Sequence, residues 1–140
     1  MSKIAVVFWS GTGNTEAMAN SVEEGAKNAG AEVSVIPASE FSPDLMDAFD
    51  AVAFGCPAMG AEELEEDEFA PMFSDCESIL SGKKIALFGS YGWGDGEWMR
   101  TWEETCRNAG AVLVTDSVIC QEAPDDAACA DCRALGAALA

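Results

Sequence analysis

The chain has no histidine, and only seven lysines and arginines stand against 25 aspartates and glutamates. Without imidazole, the side chain best suited to proton transfer near neutral pH and the commonest metal ligand are both missing. The net charge of −18 argues against nucleic acid as a partner, because a phosphate backbone needs a basic footprint. Long apolar runs are missing too: the first, Ile4 to Trp9, gives way to polar turn residues. It is too short to span a bilayer and wrongly flanked for a signal peptide, so a soluble, cytoplasmic protein is expected. Six cysteines, at 56, 76, 106, 120, 129 and 132, are expected as reduced thiols rather than a disulfide framework. Cys129 and Cys132 have redox or metal spacing, but zinc needs two more ligands, and neither a second such pair nor a histidine supplies them. The pair also falls in a helical pattern, away from the strand-to-helix turn that a thioredoxin-like site requires.

What is present is a chain of 140 residues, 49% of them apolar, the size of one domain spanning 1–140. A domain of this length buries roughly 68% of its unfolded surface, enough for a real core. Runs rich in β-branched and aromatic residues recur at Ile4–Trp9, Val33–Ile36, Ala51–Gly55, Ile85–Gly89 and Val112–Thr115, the last extending through Ser117–Cys120. Helical patterns separate them at Thr15–Ala29, Leu45–Phe49, Glu62–Leu80 and Glu97–Asn108, with a final one at Asp126–Leu139. This alternation predicts an α/β fold with an open parallel sheet and helices on both faces. Strands one, three and four are almost wholly apolar, as central strands covered on both sides must be.

In such sheets ligands bind beyond the carboxyl ends of the strands. Three loops there are unusual. Ser10-Gly-Thr-Gly-Asn-Thr15 follows the first strand, with glycines for close backbone approach and hydroxyl and amide side chains at Ser10, Thr12, Asn14 and Thr15. The helix N-terminus behind it adds unpaired N–H groups and partial positive charge, which suits a phosphate. No lysine follows Gly13, which argues against a nucleotide triphosphatase, and Glu16 breaks the dinucleotide fingerprint. After the third strand comes Gly55-Cys-Pro-Ala-Met-Gly60 and a string of carboxylates. Met59 is polarizable and suited to lie against a flat ring. Glu65 to Glu68 read as an acidic helix N-terminus favoured by the helix dipole. After the fourth strand, Gly89-Ser-Tyr-Gly-Trp-Gly-Asp-Gly96 holds four glycines in eight residues. Trp93, isolated between two glycines, is the candidate for a stacked aromatic, whereas Trp98 reads as packing under the loop.

A phosphate cradle, a Met-Gly turn and a Gly-Trp-Gly loop on one sheet edge describe a phosphorylated aromatic ligand. Across nearly all its length the chain resembles the short-chain flavodoxins of anaerobes, on WSGTGNTE, CPAMG…EELEE and GSYGWGDGEWM. That resemblance implies a flavodoxin-like three-layer sandwich with a five-stranded parallel sheet of order 2-1-3-4-5. It also implies a non-covalently bound FMN and a low-potential one-electron carrier, shuttling between semiquinone and hydroquinone. The phosphate would sit on Ser10, Gly11, Thr12, Gly13, Asn14 and Thr15, with Met59 and Trp93 flanking the ring. Glu62 matches the position bonded to flavin N3, and Gly92 and Trp93 would approach N1 and O2. Gly60 matches the glycine whose peptide turns over on reduction. Ala58, Ala61, Ser90, Tyr91 and Gly94 complete the expected contacts; Ala61 stands where the family often has aspartate or serine, and Pro57 where some relatives carry serine.

No catalytic residue and no metal site is expected, since nothing in the chain is placed to act on an organic substrate. The cofactor would carry the reactivity and the protein would tune it. The expected partners are redox proteins with basic docking surfaces, oxidoreductases otherwise served by ferredoxin, met by a monomer. The alternative is an FMN-dependent NAD(P)H:quinone-type reductase on the same fold, which needs room for a second substrate and often dimerises. A non-flavin regulatory module is a third reading, disfavoured by the intact ring-flanking residues.

Overall fold

The computed structural model describes residues 2–60 and 62–140. Its elements run β1 (Lys3–Phe8), α1 (Asn14–Asn28), β2 (Glu32–Pro37), a short 3-10 turn (Ala38–Glu40), α2 (Pro43–Met46), β3 (Ala51–Gly55) and α3 (Phe69–Glu77). They continue with β4 (Lys84–Tyr91), α4 (Glu97–Asn108), β5 (Val112–Leu113), β6 (Val118–Gln121) and α5 (Asp126–Leu139). The strands form one parallel sheet of order β2-β1-β3-β4-β5, and β6 also pairs with β4. The expected order 2-1-3-4-5 is therefore observed, with the fifth position filled by a broken strand. Lys84 and Ile85 pair with β5, while Phe88 to Tyr91 pair with β6. Between them Thr115, Asp116 and Ser117 leave the ladder; the Ser117 hydroxyl donates to Glu103 at 2.7 Å.

Alternation along the central strands builds two cores. On β1, Ala5 and Val7 face α2, α3 and α4, whereas Ile4 and Val6 face α1 and α5. The first core is aromatic: Phe69 and Phe73 lie parallel at 6.1 Å, and Phe54 and Trp102 meet them edge-on at 5.2 to 6.5 Å. Each such buried ring contributes about 1.5–3 kcal/mol through removal of apolar surface from water. The second core is built by Met18, Val22, Phe88 and Leu135.

On that second side α1 and α5 cross almost backbone to backbone. A Cβ on Gly25 would lie 1.9 Å from the Arg133 carbonyl oxygen, and one on Gly136 would lie 2.1 Å from that of Val22. Close packing of this kind anchors α1, whose N-terminus faces the carboxyl edge of the sheet. The helix expected at Glu62–Leu80 is shorter than its pattern: α3 begins only at Phe69, because the preceding acidic residues are turned aside, as described below. Cys129 and Cys132 both lie inside α5, and burial pushes the Cys132 thiol up to about 12.

Gly25→Ala is expected to lower stability by about 1–3 kcal/mol, the usual cost of overpacking a closed contact. The urea midpoint of unfolding measures it.

Candidate functional site

The order in which strands are added to the sheet reverses between β1 and β3, and the loops beyond their carboxyl ends meet there. Gly13, at φ 95, turns the chain from the strand into α1 in a conformation a side chain would strain. The Ser10 hydroxyl oxygen accepts the N–H groups of Gly13 and Glu16 at 3.1 and 3.2 Å. Among the described residues, the N–H groups of Thr12, Asn14 and Thr15 find no acceptor. Thr15 Oγ1 is buried and likewise has no partner. A buried hydroxyl left unpaired costs about 1–3 kcal/mol, so its position beside open helix donors points to an anion.

After β3, Met59 and Glu63 exchange backbone hydrogen bonds at 2.8 and 2.9 Å, closing a tight turn. Ala61, expected among the contacts, lies outside the described residues. Glu62 has φ 56, and Glu122, beyond β6, has φ 60. Among the described residues these are the non-glycine positions held in the left-handed region, at about 1–3 kcal/mol each, and strain of this kind gathers at functional edges.

A hollow of about 220 Å3 opens between these loops. Of the residues expected from sequence, Gly11, Thr12, Asn14, Ala58, Met59, Ser90, Tyr91 and Gly92 line it. Ser10, Gly13 and Thr15 belong to the same loop before α1 but are not part of the lining. Gly60, Glu62, Trp93 and Gly94 lie outside that lining, and Trp93 is 63% exposed. The Glu62 carboxylate accepts the Glu97 N–H at 3.2 Å, so it caps α4. Trp98 packs under the loop as expected, 5.5 Å from Tyr91, with its indole N–H donated to the Cys56 carbonyl at 3.2 Å.

Trp9 and Glu122 also line the hollow, as does Pro57, and sequence reasoning did not place the first two there. Glu122 follows β6, and its N–H bonds the Tyr91 carbonyl at 2.8 Å; next to it, the Gln121 amide donates to the Gly92 carbonyl at 3.3 Å. The strand-end rule that picked out three loops applies equally to this fourth one. No lysine or arginine lines the hollow. A larger one, about 510 Å3 between α3 and α4, is lined by Ser74, Glu77, Ser78, Thr105, Asn108 and Ala109, with neither an aromatic wall nor a helix N-terminus.

Glu65 is 5% exposed and accepts the N–H groups of Asp67, Glu68 and Phe69 at 2.7 to 2.8 Å, closing the start of α3. Burial pushes its pKa up, but the three N–H groups outweigh that and hold it below the usual carboxylate range. Beside it, burial pushes the Cys56 thiol up to about 12, so this cysteine is a neutral packing residue and not a nucleophile.

The family model described as Flavodoxin matches residues 6–136. A flavodoxin of Megasphaera elsdenii is 45% identical over 137 residues, 98% of each chain. One of Clostridium beijerinckii is 46% identical over 135 residues, 96% of this chain and 97% of that one. The solution structure of the two-electron reduced Megasphaera elsdenii flavodoxin superposes with a TM-score of 0.90 over 97% of each chain.

Because the Glu65 pKa is depressed by folding, its contribution is present above the ordinary glutamate value of about 4.3 and is lost as pH falls through the lower folded value. Glu65→Gln should flatten that acid limb of the stability curve, and Glu65→Ala should cost about 1–2 kcal/mol at neutral pH, as loss of a helix cap does. Urea unfolding from pH 2 to 7 reads both.

Proposed function

The chain belongs to the flavodoxin family, and on that premise we propose that it is an electron carrier holding FMN in the hollow beyond β1, β3 and β4. The observation that carries the cofactor assignment is the unpartnered Thr15 hydroxyl beside open N–H groups at the start of α1. Those groups fit a phosphate. When bound, FMN supplies one-electron chemistry and the protein sets its energy.

Thr12, Asn14 and Thr15 offer N–H donors to the phosphate, and Thr15 adds its hydroxyl. Ser10 accepts two backbone N–H groups, which leaves its own proton free to donate outward. Met59 and Tyr91 supply soft and aromatic walls, and Trp93, 63% exposed, is available to cover the outer face. Gly60 gives the neighbouring peptide freedom to present either its N–H or its carbonyl. The Glu62 carboxylate has acceptor capacity beyond the Glu97 N–H and can also take a ring N–H.

With no base in the lining, a phosphate here keeps its charge, and Glu62, Glu63 and Glu122 add theirs. One unit charge about 12 Å away, at an effective dielectric of about 40, disfavours a further electron by roughly 0.7 kcal/mol. This supports a low potential for the last electron. Flavodoxins are electron-transfer proteins rather than enzymes, so the quinone-reductase reading is not favoured. The net charge of −18 supports docking to redox proteins with basic surfaces and favours a monomer through self-repulsion. Six unpaired cysteines support a cytoplasmic setting, and among the described residues no helix is long and apolar enough to cross a membrane.

The purified protein is expected to titrate with FMN and to reduce in two separate one-electron steps. A single two-electron wave would overturn the one-electron reading. Thr15→Val should weaken FMN about 10- to 100-fold, the worth of a hydrogen bond to a charged group, while leaving riboflavin affinity unchanged. Electron delivery to a basic acceptor protein should slow as salt rises; rates indifferent to ionic strength would remove the docking reading.

A further inference from the structure

Trp9 is the last residue before the phosphate loop, and it is tied in three directions. Its backbone N–H bonds the Gly55 carbonyl at 3.0 Å, which fixes it to the end of β3. The outer edge of its indole lies against Gly11, where an added Cβ would come within 2.9 Å of the ring. Its indole N–H donates to Glu68 Oε1 at 3.1 Å, 59 residues away in the chain. Glu68 in turn gives its backbone N–H to Glu65, and the Glu65 N–H meets the Cys56 sulfur at 3.3 Å.

A second hollow, of about 290 Å3, lies on the far side of this residue. It is lined by Trp9, Met59, Gly60 and the acidic loop from Glu63 to Asp67. Trp9 and Met59 are common to both hollows and so form the partition between them. The loop that would hold the phosphate and the loop that would meet the ring therefore share one wall. A displacement of Gly11 against the indole acts on a side chain that bonds Glu68 directly and shares the lining of the second hollow with Met59 and Gly60.

We propose that Trp9 is a positioning residue that couples occupancy of the phosphate loop to the conformation of the Met59–Gly60 turn, through its contact with Gly11 and its hydrogen bond to Glu68. The proposal rests on the carrier reading. Trp9 makes the phosphate end of the cofactor set the wall that faces its ring. Two parts of one ligand then bind cooperatively rather than independently, as linkage requires when both bias the same element.

The test is a binding cycle on the full chain freed of flavin, with riboflavin and inorganic phosphate as the two probes. In the natural chain, phosphate should tighten riboflavin at least about fivefold. The factor should fall to near one in Trp9→Phe, which keeps a ring but loses the N–H. Glu68→Gln removes the charge yet keeps an acceptor oxygen, and should retain most of the factor. A purely structural role for Trp9 would weaken riboflavin equally with and without phosphate and leave the ratio unchanged. That result overturns the proposal, as does a natural chain in which phosphate has no effect on riboflavin. A factor lost in Glu68→Gln but kept in Trp9→Phe would assign the effect to charge and also overturn it. Should Trp9→Phe fail to fold, Glu68→Ala, at an exposed position, removes the same acceptor and must lose the factor. Failure of the natural chain to bind FMN at all would overturn the carrier reading and this proposal with it.

Discussion

The first turn of α1 carries N–H donors that the chain satisfies from behind but not from in front, and the site is arranged around that imbalance. Ser10 reaches over to Gly13 and Glu16, while Thr12, Asn14 and Thr15 keep their donors toward the hollow. An open helix end of this kind is costly unless an anion completes it. It is held in place by strong packing: β1 is buried on both faces, and α1 is locked to α5 where Gly25 and Gly136 let the backbones touch. The stability of the second core is thus spent on holding a binding edge in an unsatisfied state.

Position decides what each carboxylate does. Glu65 is buried and consumed by three N–H groups at the start of α3, so it is structural. Glu62 caps α4 from a strained backbone position, joining the acidic loop to the glycine-rich loop after β4. Glu122, strained in the same way, closes the opposite wall. Glu122 is the one charged side chain among the lining residues, and no lysine or arginine there offsets it. A catalyst of phosphate chemistry would need a cation there; a carrier that only tethers a phosphate does not.

Much of this was legible in the sequence. Strong apolar runs at Ile4–Trp9, Ala51–Gly55 and Ile85–Gly89 fell on the central strands, because burial on both faces leaves no polar position. Helices ending at asparagine-alanine-glycine were placed almost to the residue, since Gly30 and Gly110 stop them. The acidic stretch before Phe69 misleads: glutamates favour a helix locally, yet here the Glu65 carboxylate takes the N–H groups of Asp67, Glu68 and Phe69, and the Met59–Glu63 turn interrupts the pattern. Trp9 and Glu122 carried no motif of their own. Trp9 read as the end of a strand, and Glu122 followed the weakest strand of the sheet.

The sequence by itself determined the alternation of strands and helices, the glycine- and hydroxyl-rich loop after β1 and the absence of any positive charge within it. Those are local properties, set by side-chain periodicity, glycine placement and composition. Only the tertiary structure decided that Thr15 is buried without a partner, that Trp9 bonds a glutamate 59 residues away, and that Glu62 serves the end of α4. Each of these depends on where parallel crossovers bring distant loops together. Hydrogen-bond satisfaction is a property of the completed fold, and no short stretch of chain carries it.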